Sequence, residues 1–279
     1  MKFSLAHLRT YTLEATVFLC GGVVMIYELV GSRVLGPYVG TSIYVWTSLI
    51  GIILGSLSLG YYLGGRLADR EASSARLALI ILVAALLLAL TTLIADPFLT
   101  VLEAQSKSIR INAVVSSVVL FAPVSIVLGL VSPYAVKLKL NTLTTSGSTV
   151  GSLYALSTAG SIIGTFLSGF VLIPFLGTHK LLLLLVLTLL ATSLLVSRAN
   201  MKGVKAALIL FVVLTWARPI TLIGAERNGL LLDTDTAYNR VWIRDYETRQ
   251  THQAVRMMRI NSENHSSMFL ESDELANEY

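Results

Sequence analysis

Long apolar blocks separated by short charged segments make up most of the first 223 residues. Six blocks stand out: residues 15–35, 43–63, 77–95, 113–131, 150–173 and 181–196. At a helical rise of about 1.5 Å per residue, each block can cross, or nearly cross, a hydrocarbon core about 30 Å thick. The pattern predicts an all-α polytopic membrane bundle.

A seventh apolar block is shorter than the others. Residues 206–217 lie between Lys205 and Arg218, and Pro219 follows at once. A run of about 10–14 apolar residues is typical of an interfacial or re-entrant segment. Snorkelling of the two flanking cations would still let the block cross the membrane. We therefore expect six to seven transmembrane helices.

The character of the chain changes near residue 224, where charged residues become frequent. Residues 238–245 and 254–260 read as two strands joined by a polar turn, which predicts a short C-terminal β-hairpin or meander. A segment of this size with few apolar side chains is marginally stable alone and needs a partner surface. We divide the chain into a transmembrane domain, 1–223, and a β-domain, 224–279.

Composition and charge support the membrane assignment. Hydrophobic residues account for 54% of the chain and charged residues for 13%, whereas soluble domains carry about 25% charged residues. Positive charge concentrates in the loops that flank the apolar blocks, as in proteins whose partner is the lipid bilayer. Nothing in this distribution indicates a nucleic-acid surface.

The loop charges also predict an orientation. With the N-terminus in the cytoplasm, ten Lys and Arg residues fall in the inner segments and four in the outer ones. The positive-inside rule then favours a cytoplasmic N-terminus in the cell membrane. Six spans place the tail in the cytoplasm and seven place it outside. The short seventh block favours the cytoplasmic tail.

Small residues recur at four-residue spacing in the second and fifth blocks, for example Gly51 with Gly55, and Gly160 with Gly164. Such faces let helices approach closely in lipid. We expect these two helices to form the centre of the bundle. Leu185, in the leucine-rich sixth block, is expected to face lipid.

Glu28 is the one acidic residue well inside a predicted span. A charge at that depth costs about 2.5–3.5 kcal/mol on insertion scales and usually has a partner. Glu28 is either a proton- or cation-binding carboxylate that faces a cavity, or half of a structural ion pair with Arg33, five residues later. The second interpretation is slightly favoured, because no other acid or histidine in the spans completes a relay.

Asp69 belongs to the segment Gly-Gly-Arg-Leu-Ala-Asp-Arg, residues 64–70. The segment resembles the loop between helices two and three of major facilitator transporters, although acidic and small residues replace the basic residues that normally follow. It is either a gating loop or a cytoplasmic anchor in which Asp69 interacts with an arginine. His252 and His265 lack nearby ligands at metal-binding spacing, so no metal site is expected.

Three stretches together resemble the membrane-anchored spermidine synthase-like proteins, also called fused major facilitator/spermidine synthases. The first runs from Tyr-Glu-Leu at 27–29 through Gly40 to residue 70. The second runs from Gly-Ser-Leu-Tyr-Ala at 151–155 to Ile-Pro-Phe-Leu-Gly at 173–177. The third is the tail, with residues 238–245, 255–260 and His-Ser-Ser-Met at 265–268.

The resemblance implies a helical bundle, a β-meander and then a Rossmann-like domain that binds decarboxylated S-adenosylmethionine. This chain lacks the nucleotide-binding and catalytic residues of that domain, so no catalytic or cofactor-binding residue is assigned. Asn239, His265 and Tyr279 could at most border an amine site completed by another chain.

Two functions follow as expectations. The chain is the membrane part of a split or truncated aminopropyltransferase-like protein with a separate catalytic partner chain, or it is a transporter or sensor of a small cation such as a polyamine. An adjacent reading frame that encodes a strand and a glycine-rich loop would favour the first function. Transport that is lost when Glu28 is changed would favour the second.

Overall fold

The computed structural model describes residues 5–106, 108–140, 146–197, 206, 208–209, 229–236, 239–247, 253–261, 263–272 and 275. Most of these residues are helical, and a small antiparallel sheet follows the helices. The predicted helical architecture with a C-terminal β-meander is confirmed, and the length and composition of the helices are compatible with the membrane assignment. Most of the seventh apolar block lies outside the described residues.

Three long helices open the chain: α1 (Leu5–Val39), α2 (Ile43–Arg70) and α3 (Ser74–Gln105). A fourth helical stretch comprises α4 (Ile109–Ser116), a π-helical turn (Ser117–Phe121, here π1), α5 (Ala122–Gly129) and α6 (Val131–Lys139). The last comprises α7 (Ser146–Leu167), a second π-helical turn (Ser168–Leu172, π2) and α8 (Ile173–Val196).

Five helices in the described part of the chain are long and apolar enough to cross a membrane, and the last of them, Ser146–Val196, is 51 residues long. This stretch contains the predicted fifth and sixth blocks. The interruption lies at Gly177, whose φ of 72° and ψ of 169° are not helical. The helix continues past Pro174, which directly follows the π-helical turn Ser168–Leu172.

Specific contacts give the direction of each helix. Phe18 lies against Gly160 and Gly22 against Gly164, so α1 and α7 run parallel. Ser193, near the end of α8, donates a hydrogen bond to the carbonyl oxygen of Ala78, near the start of α3, at 2.7 Å. Helix α8 therefore ends beside the beginning of α3, at the end of the bundle where α1 also begins, here called the amino end.

The glycine-rich faces divide into tight and open pairs. A Cβ atom on Gly160 or Gly164 would collide with the backbone of α1, and one on Gly60 or Gly64 with the α5–α6 backbone. These four glycines therefore allow the close helix packing that their spacing predicts.

Two other expectations about packing are wrong. Gly51 and Gly55 have nothing within 4 Å of a built Cβ, so this pair does not hold two helices together. Leu185 was expected to face lipid, but it is buried in the bundle core. Lipid tails and the bundle interior are both apolar, so a leucine-rich sequence does not distinguish them.

Each π-helical turn begins with a serine and is followed by a proline six positions later, Ser117 with Pro123 and Ser168 with Pro174. A proline cannot donate to the carbonyl group four residues before it, and its ring crowds that group. A local widening to i→i+5 hydrogen bonds relieves the crowding. This accounts for an unbroken apolar helix with an internal proline.

Four antiparallel strands form the sheet in the order of the chain: β1 (Leu230–Asp235), β2 (Arg240–Glu247), β3 (Ala254–Ile260) and β4 (Glu263–Phe269). The two predicted strands correspond to β2 and β3, and the meander alternative is the one observed. The outer strands were not predicted. In β1 a run of leucines precedes two aspartates, and β4 is mostly polar, so neither shows the alternation of a half-buried strand.

The sheet rests on the end of the bundle opposite the amino end. Trp242 on β2 packs edge-on against Tyr38 at the end of α1, with ring centroids 6.1 Å apart. Residues on β2 and β3 also pair with α3 near its C-terminal end. We call this the sheet end of the bundle.

Candidate functional site

Glu28 lies near the middle of α1, three residues from the midpoint of the membrane-length segment Tyr11–Val39. Its side chain is half-buried, whereas the neighbouring Tyr27 and Val30 are fully buried. Among the described residues, Glu28 has no hydrogen-bond or ion-pair partner, and no ion pair joins it to Arg33. The expected structural ion pair between Glu28 and Arg33 is therefore not formed.

Every other acidic residue of residues 1–223 forms an ion pair. The pairs are Glu14–Lys139, Asp69–Lys137, Glu71–Arg76, Asp96–Arg240 and Glu103–Arg259. All five lie near one of the two bundle ends, where water and basic side chains are available. Glu28 is thus both the deepest acid of the described bundle and the one without a countercharge.

Arg33 points towards the sheet. One of its Nη atoms donates a hydrogen bond to the carbonyl oxygen of Thr236, in the segment that follows β1. The residue predicted as a partner of Glu28 therefore joins α1 to the β-domain.

Asp96 of α3 is the centre of a polar cluster at the sheet end. The Tyr38 hydroxyl donates a hydrogen bond to its Oδ1 at 2.8 Å, and Nη1 of Arg240 lies 3.6 Å from the same oxygen. Arg240 also forms a bidentate pair with Asp233, at 2.8 and 2.7 Å. Burial lowers the pKa of Arg240, but the hydrogen bonds and charges of Asp233 and Asp96 outweigh it and raise that pKa, so the guanidinium stays charged.

Trp242 connects this cluster to a second ion pair. The guanidinium carbons of Arg240 and Arg259 lie 5.1 and 5.6 Å from its ring centroid, within the range of cation–π attraction. Arg259 in turn donates to Glu103 at 3.1 Å. Helix α3 thus holds the sheet at two acids, Asp96 and Glu103, two helical turns apart.

No protein-family model, curated protein or solved structure matches the chain. Function is therefore inferred from the residues and the geometry of this molecule. Within the described residues, no group of three or more His, Cys, Asp and Glu side chains could hold a metal ion.

Asp69 lies at the amino end of the bundle, far from Glu28 and from the sheet. Its carboxylate pairs with Lys137 of α6 at 2.7 Å, and both side chains are largely exposed. The predicted partner was an arginine of its own loop; the observed partner is a lysine from another helix. Arg76 pairs instead with Glu71.

The tail candidates do not converge. Asn239 closes the turn between β1 and β2: its carbonyl oxygen accepts a hydrogen bond from the Thr236 amide at 2.9 Å, and its Oδ1 accepts one from Asn261 at 2.7 Å. His265 is exposed on β4, at an irregularity in the pairing with β3. Tyr279 and His252 lie outside the described residues.

Sequence reasoning missed the acids and bases that join the two domains. The sequence offers only a weak indication of these contacts. Asp96 and Glu103 are the two acids at the end of a strongly apolar helix. Arg240 and Arg259 lie on the two predicted strands, on either side of the predicted turn. Their residue types suggest ion pairing, but nothing local in the sequence selects the partners.

Proposed function

We propose that the chain is the membrane-embedded part of a spermidine synthase-like protein, in which the helical bundle holds the β-sheet at one surface of the membrane. The observation that carries the proposal is the attachment of the sheet to α1 and α3. Arg33 binds the segment after β1, while Asp96 and Glu103 bind Arg240 and Arg259 of β2 and β3.

Such an attachment supports a platform rather than a loosely tethered tail. Charged contacts fix register and orientation, and Trp242 adds apolar area between them. A four-stranded meander at this place also agrees with the small β-domain that the resemblance implies. In this proposal a separate Rossmann-like catalytic chain binds decarboxylated S-adenosylmethionine and docks beside the sheet, which contributes to the polyamine side of the site.

In this proposal the helices that the structure describes cross the membrane six times. Gly177 divides the stretch Ser146–Val196 into two crossings, so α1 to α8 cross six times and α8 ends at the amino end. The sheet, however, rests on the opposite end. In this proposal the start of α1 and the sheet therefore lie on opposite sides of the membrane.

The same geometry separates the N-terminus from the sheet. Arg66, Arg70, Arg76, Lys137 and Lys139 lie at or near the amino end, which the positive-inside rule places in the cytoplasm. The β-domain then lies outside, which replaces the expectation of a cytoplasmic tail. Substrates for the module would accordingly be found on the outer side.

Paired cysteine labelling tests this arrangement. In a Cys20→Ser background, Ala72→Cys reports the amino end and His265→Cys the sheet, because both positions are exposed. A membrane-impermeant thiol reagent added to intact cells should label His265→Cys and leave Ala72→Cys unlabelled until the membrane is opened. Labelling of both positions from one side would contradict the arrangement.

The catalytic part of the proposal has its own test. The reading frame after the codon for Tyr279 should encode a strand followed by a glycine-rich loop, or a neighbouring gene should. Co-expression with that product should yield aminopropyl transfer in membranes, while this chain alone yields none. Arg240→Glu, which repels Asp96, should reduce the transfer, and the matched Arg256→Glu should not. Turnover by this chain alone would overturn the proposal.

A further inference from the structure

We propose that Glu28 is an exchangeable cation site within the membrane, occupied by a proton or by a small cation that replaces it. This inference is independent of the β-domain and of any catalytic partner. It rests on the depth of Glu28, on the lack of a countercharge among the described residues, and on the side of α1 from which its carboxylate is reached.

Depth comes first. Glu28 lies three residues from the middle of the segment Tyr11–Val39, which is about 4.5 Å along the helix axis. In a hydrocarbon core about 30 Å thick, the carboxylate is then about 10 Å below the nearer surface. An isolated carboxylate at this depth is neutralised, and the neutralising charge comes from the protein or from outside it.

Among the residues that the structure describes, none supplies such a charge. The other five acids of the bundle each pair with a Lys or Arg, so the fold does provide countercharges where they are needed. Arg33, the cation one and a half turns away on the same helix, extends instead to the Thr236 carbonyl oxygen. Its guanidinium is thereby directed to the sheet end and away from Glu28.

The Glu28 side chain lies on a partly exposed strip of α1. Met25, Glu28, Leu29 and Ser32 are half-buried, whereas the opposite strip, which includes Tyr27 and Val30, is fully buried. Ser32 lies one turn above Glu28 towards the sheet end, and its hydroxyl donates to the Leu29 carbonyl oxygen at 2.8 Å. Glu28 and Ser32 thus lie on one face of α1, and Arg33 follows Ser32 towards the sheet end.

Buried polar structure surrounds the same level of α1. The hydroxyls of Tyr27 and Thr91 both donate to the Leu120 carbonyl oxygen in π1. Ser168 is the first residue of π2 and lies on the same helix face as Gly160 and Gly164, which pack against α1. Its side chain is fully buried, and its hydroxyl has no hydrogen-bond partner among the described residues. π-Helical turns of this kind are frequent at functional sites. Among the described residues, Glu28 is the acidic residue at this level.

An apolar carbodiimide tests the proposal, because it enters the membrane and reacts with a protonated carboxyl group. The full-length protein in lipid nanodiscs is treated with dicyclohexylcarbodiimide from about pH 5 to about pH 9, and the modified residue is found by peptide mass analysis. Glu28 should be modified, with a rate that falls about tenfold per pH unit once the proton leaves. Glu28→Gln removes the signal, and Glu14→Gln, which changes a paired acid, keeps it.

Competition distinguishes the proton from other cations. The reaction is repeated at fixed pH with sodium, potassium or spermidine, and osmotic strength is held constant. Slower modification with one of these identifies a cation that replaces the proton, whereas unchanged rates identify the proton alone. No modification of Glu28 at any pH, or a rate that ignores both pH and cations, would overturn the proposal. The melting temperature of Glu28→Gln, expected to equal that of the unchanged protein, shows that the variant is folded.

Discussion

Nη1 of Arg240 on the sheet lies 3.6 Å from Oδ1 of Asp96 on α3, and this contact joins the β-domain to the membrane bundle. The same guanidinium holds Asp233 through two hydrogen bonds. One side chain therefore both stabilises the sheet and attaches it to the helices. Replacement of Arg240 should therefore weaken both the sheet and its attachment to α3, and this effect can be measured.

We expect Arg240→Ala to loosen the sheet. The change leaves Asp233, whose side chain is 13% exposed, without its partner, and breaking a buried pair in this way costs about 3–5 kcal/mol. Amide hydrogen exchange of residues 230–247 should accelerate strongly. Arg256→Ala is the control, since its pair with Asp245 is more exposed and such pairs contribute little. Equal protection in the two variants would contradict the assignment.

The glycines of α2 and α7 should respond differently to the same substitution. Gly160→Ala places a methyl group against the backbone of Phe18, so α1 and α7 must separate and the bundle must lose stability. Gly55→Ala meets no atom within 4 Å and should be neutral or stabilising by up to about 1 kcal/mol through helix propensity. Melting temperatures in detergent decide this, and equal losses would refute it.

Leu185→Ala extends the same test to the core. Leu185 is 1% exposed, and truncation of a buried leucine costs about 2–5 kcal/mol through the lost contacts and the cavity. The exposed Leu54 of α2, at 57%, offers a matched control, because Leu54→Ala leaves no cavity. A smaller loss for Leu185→Ala than for Leu54→Ala would place α8 at the lipid surface after all.

The Leu120 carbonyl oxygen should depend on two hydroxyls together. Tyr27→Phe removes a hydrogen bond of 2.9 Å, and Thr91→Val removes one of 3.2 Å from a hydroxyl that is shared with the Leu87 carbonyl oxygen at 3.0 Å. Each single change leaves the oxygen with one donor and should cost about 0.5–1.5 kcal/mol. The double variant leaves a buried carbonyl group with neither hydroxyl and should cost more than the sum. A double-mutant cycle on unfolding measures the difference, and strict additivity would show that the hydroxyls act independently.

The sheet should lose stability at low pH through Asp245. Hydrogen bonds from Arg256, at 2.7 and 2.8 Å, lower the pKa of this carboxyl below its ordinary value of 3.8. A lowered acid pKa contributes stability above the ordinary value, and this contribution disappears as the pH falls through the lowered pKa. Titration of the Asp245 carboxyl by NMR should show the pKa rise in Arg256→Gln. An unchanged pKa would exclude the interaction as its cause.

Local patterns in the sequence determined the class of this protein. Runs of apolar residues long enough to span a bilayer predict α1, α2 and α3 and the later helical stretches, because backbone groups in lipid must form hydrogen bonds within the segment. The pattern of residues 238–245 and 254–260 predicts two strands, observed as β2 and β3, for a similarly local reason. The depth of Glu28 also follows from its position in the first apolar block alone.

Only the tertiary structure decided which residues meet. Gly55 and Gly60 both belong to series of small residues at four-residue spacing in α2. A Cβ on Gly60 would collide with the backbone of α5, whereas one on Gly55 would meet no atom within 4 Å. The spacing does not specify which face of α2 packs against another helix. The pairing of Asp96 with Arg240 joins residues far apart in the chain, and no local signal encodes it. The side on which the sheet rests, and the lack of a countercharge for Glu28, follow from the packing of several helices at once. Helix packing in an apolar solvent depends on shape and polar contacts more than on hydrophobicity, and a hydrophobic pattern carries little information about either.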